Sequence, residues 1–300
     1  MRRLNITREE KDGYPENSSN PEPQLTVEKL TLGFGGIKAL LEVGFEVNRG
    51  EIFSIIGPNG AGKTCIFNCL SGLYTPQKGS IVFEGVDLLP LSPHKRASLG
   101  LARTFQNIEL FKNMTVLDNI LLGRHQFLKS GVFSGGIFLG RTLKEEISNR
   151  LKAEEIIDFL EIESIRKKVV GELSYGLQKR VELGRALAME PRILLLDEPT
   201  AGMNLEETED IVRFVLDVNE EFGTTIVLIE HDLRVIMDIS IRIICIDFGV
   251  KIADGFPEDM ATVAGTATTW TTNTGYDPGA VASPGIYYLR LQTQDNADNT

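Results

Sequence analysis

The run GPNGAGKT, Gly57 to Thr64, has the residue types that hold phosphate. It fits the pattern G-x-x-x-x-G-K-[ST]. Gly57, Gly60 and Gly62 let the backbone wrap close, so that N–H groups of the loop, which also contains Pro58, Asn59 and Ala61, point at phosphate oxygens. Lys63 adds a point charge for β- and γ-phosphates, and the Thr64 hydroxyl can bind Mg2+. A plain glycine-rich turn before a helix is the alternative. The apolar run before the loop and the helical run after it, starting near Cys65, favour phosphate binding.

A second acidic pair closes the run ILLLDEP. Asp197 falls at the end of an apolar strand, where ligands sit in open α/β sheets, and could hold Mg2+ directly or through water. Glu198, one residue on, is placed to polarise water toward a γ-phosphate. Gln106, in RTFQN, has an amide that can touch both metal and water, and His231, in LIEHD, can hydrogen-bond a phosphate and orient water. Each of these two, taken alone, reads more readily as structural. In LSYGLQKR, Ser174 and Gly176 precede a helical run, and helix starts attract anions. Cys65 and Cys69 are four apart on the helix after the loop, but no matching His/Cys pair follows, so they read as small packed residues. His94 and His125 receive no role.

These residues need a scaffold that alternates strands and helices. Strands are expected at 25–32, 51–57, 80–85, 192–199, 224–230 and 241–247, with a helix over 62–73. Thr115 should cap a helix over 115–125. A longer helix over 141–162 shows apolar spacing at Leu143, Ile147 and Leu151, then Ile156, Phe159 and Leu160. Another spans 205–223, with Asn204 as N-cap, Glu207 at the capping-box position and Gly223 as terminator. From about 106 to 189 strand signals are scarce, which suggests a helical subdomain set into an α/β core with a largely parallel sheet.

Three hundred residues, 42% hydrophobic and 24% charged, suit one large α/β domain or two modest ones. A net charge of −11 argues against a nucleic-acid partner. No apolar run is long enough to span a bilayer, and the N-terminus lacks the apolar block of a secretory signal, so a cytoplasmic location is expected. Residues 1–24 are polar and read as a disordered tail. Residues 256–300 are an atypical segment: positions 261–300 hold nine Thr and no Lys or Glu. Within it, 285–293 could form a lone strand.

The ordered set GPNGAGKT, RTFQN, LSYGLQKR, ILLLDEP, AGMN and LIEHD resembles the ATP-binding subunits of ABC transporters, over about residues 25–255. The resemblance implies a P-loop NTPase core, an antiparallel β subdomain and a helical signature subdomain at about 106–189. It implies ATP and Mg2+ as ligands, with the loop residues through Cys65 on the nucleotide, and Phe34 stacked on adenine. Thr64, Gln106 and Asp197 would serve the metal, and Glu198, His231 and Gln106 would be catalytic. Ser174 and Gly176 would touch the γ-phosphate held by Lys63 of a second, head-to-tail subunit, identical or not. Tyr175 and the insertion at 125–143 are similar to branched-chain amino-acid importers. That implies two membrane permeases, a solute-binding protein outside the membrane acting indirectly, and a peripheral place on the inner membrane face. Val132, Phe133, Ile137, Phe138 and Leu139 could line the permease contact. The chain departs from the family's ending after Gly255–Glu258, has Leu177 where Gln is common, and has Cys65 in place of Thr or Ser. An ATPase for envelope lipid export is the nearest rival, with a shorter helical insertion expected. A soluble ABC ATPase would carry two such domains, a coiled coil or a basic linker.

Overall fold

The computed structural model describes residues 23–127 and 141–257, together with the backbone of two short strands at 269–272 and 289–292. The residues singled out at 132–139, and the tail up to residue 22, lie outside the described residues. Two sheets organise the chain. The first is antiparallel: β1 (Leu25–Phe34), β2 (Ile37–Val47), β4 (Lys78–Phe83) and β5 (Val86–Asp87), in the order β2-β1-β4-β5. In β1 the alternation expected from sequence changes parity. Leu25 and Val27 are buried, then Leu30 and Leu32, because a register shift after Val27 inserts an extra residue around Lys29. Gln24, at the edge of the expected tail, is buried and its N–H donates to Val47 O at 2.9 Å.

The second sheet holds β3 (Ile52–Ile56), β6 (Leu101–Arg103), β7 (Ile193–Asp197), β8 (Thr225–Ile229), β9 (Arg242–Asp247) and β10 (Val250–Gly255). Their order is β10-β9-β3-β8-β7-β6, parallel throughout except for β10. Strands β3, β7 and β8 are buried at every position. That is why they read as unbroken apolar runs. Along β7, Ile193 and Leu195 face the core shared with the antiparallel sheet, while Leu194 and Leu196 face a helical core.

Helices cover both faces. α1 (Lys63–Ser71) follows β3, and α2 (Pro93–Ser98) precedes β6. Between β6 and β7 come α3 (Val116–Gly123), α4 (Arg141–Phe159) and α5 (Tyr175–Leu187). α6 (Leu205–Phe222) and α7 (Leu233–Ile239) follow β7 and β8. Thr115 caps α3 by accepting from Asp118 N, and the Asn204–Glu207 capping box and the Gly223 terminator (φ 64°) of α6 are in place.

Two further expectations change. In α4 the spacing pointed to Ile147 and Leu151, yet these are 50% and 60% exposed. The buried face runs through Asn149, Ala153, Ile157 and Leu160. Small Ala153 permits close approach, and Asn149 is buried because its Oδ1 accepts from Arg124 Nε at 3.1 Å. The strand expected alone near the C-terminus is paired: β12 (Leu289–Gln292) runs antiparallel to β11 (Thr269–Thr272).

Candidate active site

Strand order brings the chemistry to one edge. The loop after β3, the ends of β6 and β7, and the turn after β8 all lie at the C-terminal ends of the parallel strands. Asp197 pairs with Ile229 across β7 and β8, so the Glu198 and His231 segments leave the sheet side by side.

The phosphate loop is built by close approach. A Cβ on Gly57 would lie 2.0 Å from Ile246 O, and one on Gly62 would lie 2.7 Å from Ala39 O in β2. Gly62 stands at φ 106° as the N-cap of α1, whose first turn has neither a side-chain cap nor an acid. A helix start left without such partners favours an external anion. Lys63 Nζ folds back onto the carbonyls of Gly57 (2.7 Å) and Pro58 (2.9 Å). Burial pushes its pKa below the usual lysine value, against the pull of Glu198 and Asp197. Thr64 is exposed. Phe34, half exposed, meets Tyr74 edge-on at 5.2 Å on the hairpin that also carries Ala39.

Glu198 is the hub. Its Oε2 accepts from Gln106 Nε2 at 2.9 Å, and its Oε1 lies 2.8 Å from His231 Nε2. Three strand ends thus meet on one carboxylate. Asp197 is 1% exposed, and its Oδ2 accepts from Arg103 Nη2 at 2.9 Å. Its Oδ1 is buried with no hydrogen-bond partner. Burial pushes the Asp197 carboxyl up, against the Arg103 hydrogen bond and charge.

Ser174 is the N-cap of α5, its Oγ accepting from Leu177 N at 3.4 Å. Gly176 falls inside the first turn of α5 rather than before it, and is buried against the Glu207 side chain. Cys69 is buried, which pushes its thiol up to about 12, while Cys65 is half-buried.

Residues beyond those singled out from sequence hold this arrangement. Glu230 is buried and accepts from Thr200 N (2.8 Å), Thr200 Oγ1 (2.6 Å) and His231 N (3.0 Å). Lys179 Nζ donates to the carbonyls of Phe105 (3.0 Å) and Gln106 (3.1 Å), tying α5 to the Gln106 segment. Its neighbour Glu182 is buried with it at 3.4 Å. Arg103 and Glu230 lie within the motifs RTFQN and LIEHD. A charged residue at the end of an apolar run was the signal available for them.

A profile of the ABC transporter family matches residues 40–201. The high-affinity branched-chain amino acid transport ATP-binding protein BraF of Pseudomonas aeruginosa is 41% identical over 241 residues, which is 79% of this chain and 93% of BraF. The solved ADP conformation of MJ1267, an ATP-binding cassette of an ABC transporter, aligns with TM-score 0.69 and 33% identity over 80% of this chain and 93% of that one. The dimeric structure of MJ0796, a bacterial ABC transporter cassette, aligns with TM-score 0.67 and 26% identity over 78% and 98%. With the phosphate loop, the paired acids and the signature helix in one fold, the chain belongs to the ABC transporter family as an ATP-binding cassette.

Proposed function

We propose that the chain hydrolyses Mg·ATP as one half of a head-to-tail pair, and that this pair drives import of branched-chain or related amino acids. The observation that carries the reading is the Glu198 carboxylate, held by Gln106 at 2.9 Å and His231 at 2.8 Å beside an uncapped helix start. Glu198 would accept the proton of the attacking water, while Gln106 and His231 fix the carboxylate and the water. Lys63 would leave its two carbonyls for the β- and γ-phosphates, and the loop from Gly57 to Cys65 would wrap them. Phe34 would stack on adenine.

The donor set fits Mg2+. The orphaned Oδ1 of Asp197 is a hard oxygen ligand for the ion or its water, and the Thr64 hydroxyl and Gln106 amide are two more. Among the described residues no cluster of three or more His, Cys, Asp or Glu could hold a metal ion, so phosphate and water would complete the shell. When bound, Mg2+ would neutralise negative charge on the phosphates.

Ser174 and Gly176 would meet the γ-phosphate on a second subunit, with the Glu207 carboxylate swinging away from Gly176 as the pair closes. Loss of the γ-phosphate removes that bridge and lets the pair open. The likeness to BraF along most of its length supports amino acids as cargo. It also supports two permease partners and a solute-binding protein acting through them. No helix among the described residues is long and apolar enough to cross a membrane. The likeness to BraF supports a place on the permeases at the cytoplasmic face.

The test is ATP turnover per chain as the protein is diluted with Mg2+ present. Turnover should fall with dilution as pairs dissociate. A constant rate per chain down to concentrations at which sedimentation shows only monomer overturns the shared-site reading.

A further inference from the structure

Arg103 is the least expected charge in the site. It ends β6, its side chain is only 6% exposed, and it reaches two other elements, β7 and α1. Nη2 donates to Asp197 Oδ2 at 2.9 Å. Nη1 donates to Asn68 Oδ1 at 2.7 Å and to Ser71 Oγ at 3.1 Å, both on α1, the helix that begins at the phosphate loop. Its guanidinium carbon lies 5.5 Å from the Phe67 ring centre and 4.8 Å from that of Phe105. A planar, permanently charged group suits this slot better than a flexible ammonium.

The consequence falls on Lys63. Burial lowers the pKa of its ammonium, and the nearby charges of Glu198 and Asp197 pull it back up. Both oxygens of Glu198 are engaged by Gln106 and His231, and the charge of Asp197 is taken by Arg103. Lys63 is left with two neutral carbonyls, those of Gly57 and Pro58. Anionic phosphate outcompetes neutral carbonyls for an ammonium. Without Arg103, Asp197 would be a buried charge in need of a cation. Lys179 also acts on Asp197, but the carbonyls of Phe105 and Gln106 and the Glu182 carboxylate hold it in place. Lys63, unlike Lys179, is held by neutral carbonyls alone, with no carboxylate partner among its hydrogen bonds.

We propose that Arg103 is a positioning residue of the nucleotide site: by neutralising Asp197 it keeps Lys63 from pairing with that acid and leaves the ammonium available to incoming phosphates. This rests on the nucleotide-binding reading of the loop. The effect belongs to the metal-free site, so it is separable from catalysis.

The experiment is equilibrium binding of a fluorescent ATP analogue to the full chain, with Mg2+ and in EDTA. Failure of the wild-type chain to bind with Mg2+ counts against the nucleotide site itself, not against Arg103. Given wild-type binding, Arg103→Gln should weaken affinity in EDTA by about tenfold or more as Lys63 turns to Asp197. Adding Asp197→Asn to that variant should restore affinity to within about threefold of wild type, because a neutral amide no longer attracts Lys63. A purely structural role predicts the opposite, with the double variant no better than the single one. Arg103→Lys keeps a cation beside Asp197 without the planar fork and should lose less than about tenfold, which decides the matter if Arg103→Gln does not fold. Unchanged affinity in Arg103→Gln, no recovery in the double variant, or tenfold loss in Arg103→Lys overturns the proposal.

Discussion

Glu198 holds its backbone at φ 50°, a region that costs a non-glycine residue about 1–2 kcal/mol. The strain follows from the sharp turn at the end of β7, where Glu198 N donates to Ile229 O at 2.8 Å and the carboxylate is aimed between Gln106 and His231. Glu198→Gln should keep the hydrogen-bonded frame yet lose the carboxylate proposed as proton acceptor. We expect ATP hydrolysis to drop about 10²–10⁴-fold, with nucleotide binding retained and a stable ATP-bound dimer on size exclusion. Wild-type turnover in that variant would remove the general-base role. Glu230 acts one step back, through the amide of His231 and through Thr200. In Glu230→Gln one oxygen can still serve Thr200, but the amide nitrogen then faces the His231 N–H. The expected result is a kcat lowered about tenfold with KM for ATP little changed. A raised KM at unchanged kcat would place Glu230 in ground-state binding instead.

At the scale of elements, α4 shows how a helix chooses its face. Ile147 and Leu151 share one stripe, and Asn149, Ala153 and Ile157 another. The second wins because α3 and α5 pack there, with Ile120 and Val181 in the same core. Ile157→Ala should therefore cost about 2–5 kcal/mol in urea unfolding. Leu151→Ala should cost under about 0.5 kcal/mol. Equal losses would restore the face read from spacing. The α5 start follows the same logic: Ser174 caps the helix, and Lys179, one turn on, holds the Gln106 segment. A shift of α5 on nucleotide contact would be felt directly at Gln106.

Across the whole molecule, the site needs both cores. One face of the parallel sheet packs on the antiparallel sheet and α1, and the other packs on α3 to α6. The edge that gathers Gln106, Glu198 and His231 sits where the two meet. The Thr-rich C-terminal stretch contributes none of the groups placed in this edge. Removing residues 261–300 should leave Mg·ATP turnover within about twofold of the full chain. Loss of soluble folded protein on that deletion, seen by circular dichroism, would make the stretch part of the core.

Much of this was readable from local chemistry. The loop GPNGAGKT, the run ending at Asp197 and Glu198, and the Asn204–Glu207 box each act within a few residues, so their order along the chain carries their meaning. The buried strands β3, β7 and β8 were legible for a related reason, since burial on both faces leaves a continuous apolar signature. β5 and β6 were not, because two or three residues have no period of their own and take their form from the partner strand. The helical face of α4, the Gly176 contact with Glu207, and the pairs formed by Arg103 with Asp197 and Glu230 with Thr200 were decided only in three dimensions. Each joins residues 30 or more apart in sequence, or depends on which neighbour packs first, and no local pattern records such a choice.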